Sequence, residues 1–135
     1  MRAAPASARA HVLARWHRPG PGRVLSELPG GNADGEEPVE VAAARELLEE
    51  TGYEAASLEV VMQTFLASYA THRRYAVLAR GCRKVAEQTL DEDEDIETVL
   101  MPVSEFVRHV LGGQLTDTDI AFAGLTAAGY LKATM

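Results

Sequence analysis

Residues 28–53 read LPGGNADGEEPVEVAAARELLEETGY, and the second half of this stretch predicts one amphipathic helix. Pro38 suits a first turn, where its missing N–H costs nothing. Gly52 suits the position just past the end, where a left-handed residue is wanted. Between them Val41, Ala44, Leu47 and Leu48 recur at helical spacing and are expected to face a core. Glu46, Glu49 and Glu50 fall together on another side of the helix. Like charges at these spacings repel by roughly 0.2–0.5 kcal/mol per pair. They also stand in the last turns, where the helix dipole disfavours negative charge. Arg45 offsets one of them as the i,i+4 partner of Glu49. A cluster that breaks a local rule without full local compensation marks a functional site, and a hard divalent cation with oxygen ligands would turn its repulsion into binding.

The same residues resemble the Nudix box, G-x5-E-x7-R-E-U-x-E-E-x-G-U with U a bulky apolar residue. Gly31, Glu37, Arg45-Glu46-Leu47, Glu49-Glu50 and Gly52-Tyr53 match every constrained position. The resemblance to Nudix hydrolases implies an α/β fold, an α/β/α sandwich with a mixed sheet. It implies Mg²⁺ or Mn²⁺ held by Glu46, Glu49, Glu50 and the Gly30 carbonyl, with water attacking a diphosphate bridge. Arg45 would orient the cluster by pairing with Glu49 or Glu37.

The whole chain bounds the reading. At 135 residues one domain is expected over 1–135. An apolar fraction of 47% with 24% charged residues is that of an ordinary globular protein rather than a disordered one. The net charge of −7 argues against nucleic acid or an anionic membrane surface as the main partner. Cys82 is the single cysteine, so no internal disulfide is possible, which suits a reducing cytoplasm. No apolar run is long enough to span a bilayer. Cys82 is expected to be a buried apolar residue, and His11, His17, His72 and His109, lacking metal-ligand spacing, surface or structural histidines.

Working outward from the box, residues 11–16 (HVLARW) and 23–28 (RVLSEL) predict two strands of a hairpin across the turn RPGPG. Residues 57–66, 75–83 and 96–101 predict three more strands. Ser104 is expected to cap a short helix through Leu111, and Thr116 to open a last one over about 119–132. Residues 1–10, MRAAPASARA, lack Val, Ile, Leu and aromatics and predict a frayed arm. The long apolar strand with which Nudix domains begin is thus expected to be missing, the resemblance covering Val12 to about Leu125. Uncovered neighbours of that strand would need a partner, so a homodimer is expected.

Further residues follow from the resemblance. Composition alone makes 91–97 (DEDEDIE) a solvated run. In the ADP-ribose pyrophosphatase branch, however, Glu94-Asp95-Ile96-Glu97 resembles a second acidic site, implying Glu94 as the catalytic choice before Glu97. Arg15-Trp16-His17-Arg18 resembles that branch's Arg–aromatic–Arg segment, implying Trp16 stacked on a base and Arg18 on a phosphate; a core tryptophan beside solvated arginines is the competing reading. Tyr69 stands where that branch has proline and is more typical of diadenosine polyphosphate hydrolases, with a substrate-binding role. The substrates implied are ADP-ribose or a nucleotide sugar. Diadenosine polyphosphates or nucleoside triphosphates are the alternative, and a non-cleaving ADP-ribose sensor a third.

Overall fold

The computed structural model describes residues 2–4, 10–19, 21–31 and 36–132. Its strands are β1 (Arg2–Ala4), β2 (Ala10–Arg18), β3 (Arg23–Glu27), β4 (Tyr53–Glu54), β5 (Ser57–Phe65), β6 (Arg73–Arg80), β7 (Arg83–Lys84) and β8 (Glu97–Pro102). Its helices are α1 (Val39–Thr51), α2 (Val103–Leu111) and α3 (Thr118–Ala127). Six strands make one mixed sheet in the order β3-β2-β1-β6-β5, with β8 on β2. Among the described residues, only the β1–β6 pairing within it is parallel. β4 and β7 pair separately beside the end of α1.

The expectation of a missing first strand is corrected here. Arg2–Ala4 lies between β2 and β6, with Ala3 opposite both Val12 and Ala79. Strand propensity ranks side chains, whereas this position is decided by backbone groups of β2 and β6 that need partners. The frayed-arm reading therefore fails for 2–4, while residues 1 and 5–9 lie outside the described set. The homodimer loses the argument that led to it, because the gap it was to cover is filled.

The sheet is covered on both faces, giving an α/β/α sandwich. Ala43 and Leu47 of α1 pack on Val77, Ala79 and Cys82. On the other side Phe106 and Val110 of α2 and Ile120, Ala121 and Leu125 of α3 pack around Ala76 and Leu28. Alternation along β6 sends Ala76 to one core and Val77 and Ala79 to the other.

Three helix expectations need correction. The core face of α1 is Ala42, Ala43, Leu47, Glu50 and Thr51, whereas Val41 is 53% exposed and Ala44 and Leu48 also face out. Three consecutive alanines carry no phase information, and small residues let the helix approach the sheet closely. Glu50, which polarity alone assigns to the outside, is buried. Ser104 does not cap α2; the helix starts at Val103 behind Pro102 with no side-chain cap. α3 likewise begins behind Asp117 and stops at Ala127.

The end of α1 is held by the chain that follows β7. Gly52, left-handed at φ 76°, donates its N–H to the Leu48 carbonyl at 2.8 Å. Its own carbonyl accepts from Val85 and Ala86 N–H at 2.9 and 3.2 Å. A Cβ on Gly52 would stand 2.0 Å from the Ala86 carbonyl oxygen. Strain and collision together predict that Gly52→Ala lowers unfolding stability by about 2 kcal/mol or more. Urea titration checks this; a midpoint equal to wild type contradicts it.

Candidate active site

Loop 28–31, α1, β6 and the acidic loop 91–94 enclose one open cleft of about 900 Å³. Gly30, Arg45, Glu46, Glu49, Glu50, Glu94 and Arg18 all line it. The structure thus gathers residues far apart in sequence. Tyr69 does not join them; it is 91% exposed on the loop after β5. Glu97 opens β8, exposed and opposite Arg15, away from the cleft lining. The side chain of Trp16 lies outside the described set.

Glu50 is only 3% exposed. Its Oε2 accepts the Gly30 N–H at 3.0 Å, which ties the glycine loop to the helix. A Cβ on Gly31 would come within 2.6 Å of the Glu46 carboxylate, so a larger residue there would displace the end of that side chain. Burial pushes the Glu50 carboxyl up to about 8; the Gly30 N–H opposes this, while the charges of Glu46 and Glu94 add to it. Glu46 is also raised, first by burial and against the pull of Arg45, with Glu49 and Glu94 contributing. Glu94 therefore acts electrically on both helix carboxylates. Within its loop its Oε1 accepts the Asp91 N–H at 2.8 Å.

Arg45 grips Glu37 in a two-pronged pair, Nη2 to Oε1 at 2.9 Å and Nε to Oε2 at 3.3 Å. Its Nη1 reaches Glu46 at 2.9 Å and Glu49 at 3.6 Å. These pairs hold its pKa well above the ordinary arginine value, the Glu37 bond first among the causes. Both partners expected for Arg45 are present, and Glu46 is an added one.

Sequence reasoning missed a second layer. Glu27, 2% exposed at the end of β3, accepts from Arg18 Nε and from the Thr116 N–H at 3.1 Å and hydroxyl. Arg74 on the cleft wall pairs with Asp117 and Asp119, both at 2.7 Å. The Gln88 side chain joins the end of α1 to the acidic loop. A single acid inside an alternating strand gives no sign that it is buried, and these partners are distant in sequence. His109 bonds the Ser26 carbonyl oxygen at 2.8 Å and stacks on Phe106, and Cys82 is buried, as structural residues. His72 lines the cleft.

No three His, Cys, Asp or Glu side chains among the described residues stand closed into a metal cage. The donor set nevertheless fits a hard cation: Glu46, Glu49 and Glu50 bring carboxylate oxygens, all hard donors, to the same cleft lining as Gly30. Mg²⁺ keeps several waters and needs only one or two carboxylates beside substrate phosphates.

The NUDIX domain family matches residues 6–119. The chain belongs to the Nudix family. Among relatives of this Nudix chain, the ADP-ribose pyrophosphatase of Mycobacterium tuberculosis is 36% identical over 109 residues, 78% of this chain and 52% of that protein. The ADP-ribose pyrophosphatase of Bacillus subtilis is 33% identical, over 75% of this chain and 56% of that protein. The methanol dehydrogenase activator of Bacillus methanolicus is 29% identical, over 83% and 62%. The chain thus spans between half and two thirds of the length of these curated relatives. A crystal structure described as an ADP compounds hydrolase superposes with a TM-score of 0.75 at 21% identity, covering 96% of this chain and 74% of that one. Together with the family match, this likeness gives the Nudix fold, mixed in helix and strand. No helix among the described residues is long and apolar enough to cross a membrane.

The raised Glu50 carboxyl carries a pH signature. Between the ordinary glutamate range near 4.5 and about 8, the unfolded chain gives up this proton while the folded chain keeps it. Fewer protons bound in the unfolded state mean that stability falls as pH rises through that window. Metal-free protein is therefore expected to lose a contribution to stability between pH 4.5 and 8, and Glu50→Gln to flatten that loss. Thermal unfolding in EDTA across this range measures it; a variant with the wild-type pH slope contradicts it.

Proposed function

We propose that this chain is a divalent-metal-dependent pyrophosphohydrolase that cleaves a nucleoside diphosphate joined to a second group, ADP-ribose or a nucleotide sugar. The observation that carries the reading is the convergence of Glu46, Glu50 and Glu94 on one cleft that also contains Arg18. Glu46, Glu49 and Glu50 would hold Mg²⁺ or Mn²⁺, with the Gly30 carbonyl as a further ligand. A bound cation there supplies charge neutralisation of the diphosphate and acidification of a water. Glu94 takes the proton from the attacking water as its oxygen bonds to phosphorus, and the bridging P–O bond breaks to leave two monophosphates. Arg45 restrains Glu46 and Glu49, keeping the carboxylates from spreading under their mutual repulsion. Arg18, held through Nε by Glu27, stands in the cleft lining, where its positive charge would attract a phosphate.

The relatives named as ADP-ribose pyrophosphatases support the ADP-ribose choice. Tyr69, the residue that favoured diadenosine polyphosphates, stands outside the cleft, which weakens that alternative. The intact box carboxylates weigh against a non-cleaving sensor.

A panel of ADP-ribose, nucleotide sugars, diadenosine polyphosphates and nucleoside triphosphates with Mg²⁺, scored by product identity, tests the proposal. ADP-ribose or a nucleotide sugar is expected to turn over fastest, with AMP or another nucleoside monophosphate released. Faster cleavage of diadenosine polyphosphates overturns it. On the best substrate, Glu94→Gln is expected to lower kcat by about 100-fold or more, leaving KM nearly unchanged, while Glu97→Gln stays close to wild type. The reverse pattern would move the proton acceptor to Glu97.

A further inference from the structure

Gln88 stands at the neck of the acidic loop, where the chain leaves β7 and before it returns as β8. Its Nε2 donates to the Glu50 carbonyl oxygen at 2.6 Å and to the Ile96 carbonyl oxygen at 2.9 Å. Both partners are acceptors, so the amide nitrogen must face them and both of its hydrogens are used. One acceptor lies in the last turn of α1, where a carbonyl has no partner within its helix. The other closes the far side of the loop, just before Glu97 opens β8. A second rung lies alongside, the Thr89 N–H on the Glu49 carbonyl at 2.8 Å.

These bonds divide the work of placing Glu94. The contacts between Glu94 and Asp91, N–H to carbonyl at 3.0 Å and carboxylate to N–H at 2.8 Å, fix the side chain to its own loop. Gln88 fixes the loop to the helix, and it does so through Glu50, whose carboxylate faces the same cleft. The Thr89 rung ties the start of the loop to the helix, whereas the half-buried Gln88 amide reaches both the helix and the far side of the loop at Ile96, and so bears on the spacing between the helix carboxylates and Glu94.

We propose that Gln88 is a positioning residue for catalysis, setting where Glu94 stands relative to Glu46 and Glu50. The inference rests on the reading of Glu94 as the group that takes the proton from water. Displacing such a group by about an ångström is enough to cost rate without loosening substrate.

The test compares wild type, Gln88→Met, Glu94→Gln and the double variant, using the fastest substrate of the panel above and Mg²⁺. Gln88→Met keeps the length of the side chain and removes its donors. It is expected to lower kcat roughly tenfold or more with KM within about twofold, and to cause no further loss in the Glu94→Gln background. In metal-free protein the amides of Asp91 and Glu94 should exchange hydrogen faster in Gln88→Met. Wild-type kcat in Gln88→Met overturns the inference, as does a rise in KM alone or an equal loss in the Glu94→Gln background. All three leave Glu94 as the proton acceptor. Wild-type turnover by Glu94→Gln overturns that reading and the inference with it. Gln88→Asn, which keeps the amide but loses the reach to span both carbonyls, carries the same comparison should Gln88→Met fail to fold.

Discussion

The carboxylate of Glu50, almost wholly buried and met by the Gly30 N–H at 3.0 Å, is the constraint around which the molecule is arranged. It sits near the carboxyl end of a helix and beside other acids, where burial and the charges of Glu46 and Glu94 outweigh the support of the Gly30 N–H and Arg18. A carboxylate is kept there only if the surrounding structure holds its helix firmly. Ala43 and Leu47 anchor α1 on the sheet, and the segment after β7 caps its last carbonyls. The raised Glu50 carboxyl is the electrostatic consequence, and a cation would relieve it.

The same anchoring composes the cleft. The segment that satisfies the end of α1 runs directly into the acidic loop, so structural capping and delivery of Glu94 are one act of folding. Across the cleft, Glu27 joins Arg18 to Thr116, and the neighbouring Asp117 joins Arg74. Acidic and basic side chains thus share a single opening, an arrangement that suits a phosphate ester carrying its own negative charge together with a divalent cation.

The sequence made the helix of the box legible almost to the residue. Pro38 and Gly52 bracket α1 because one presets a helical φ and the other accepts a left-handed one. Which way the helix turns was not legible, since Ala42, Ala43 and Ala44 look alike and a buried glutamate reads as a surface one. β1 escaped because its place depends on backbone pairing with β2 and β6, not on its side chains. The spacing of Glu46, Glu49 and Glu50 was legible as a shared face. The inward partners Glu27, Gln88 and Arg74 were not, because each acts on a residue tens of positions away or on a backbone carbonyl. Glu94 and Glu97 could be separated only by where the loop places them.

Mn²⁺ binding followed by electron paramagnetic resonance in wild type and Glu50→Gln tests the central claim most directly, since it reads the carboxylate cluster without any substrate. Saturable binding in wild type that is largely lost in Glu50→Gln, with the variant still folded by circular dichroism, is the predicted result. Equal affinity in the two proteins would contradict the account.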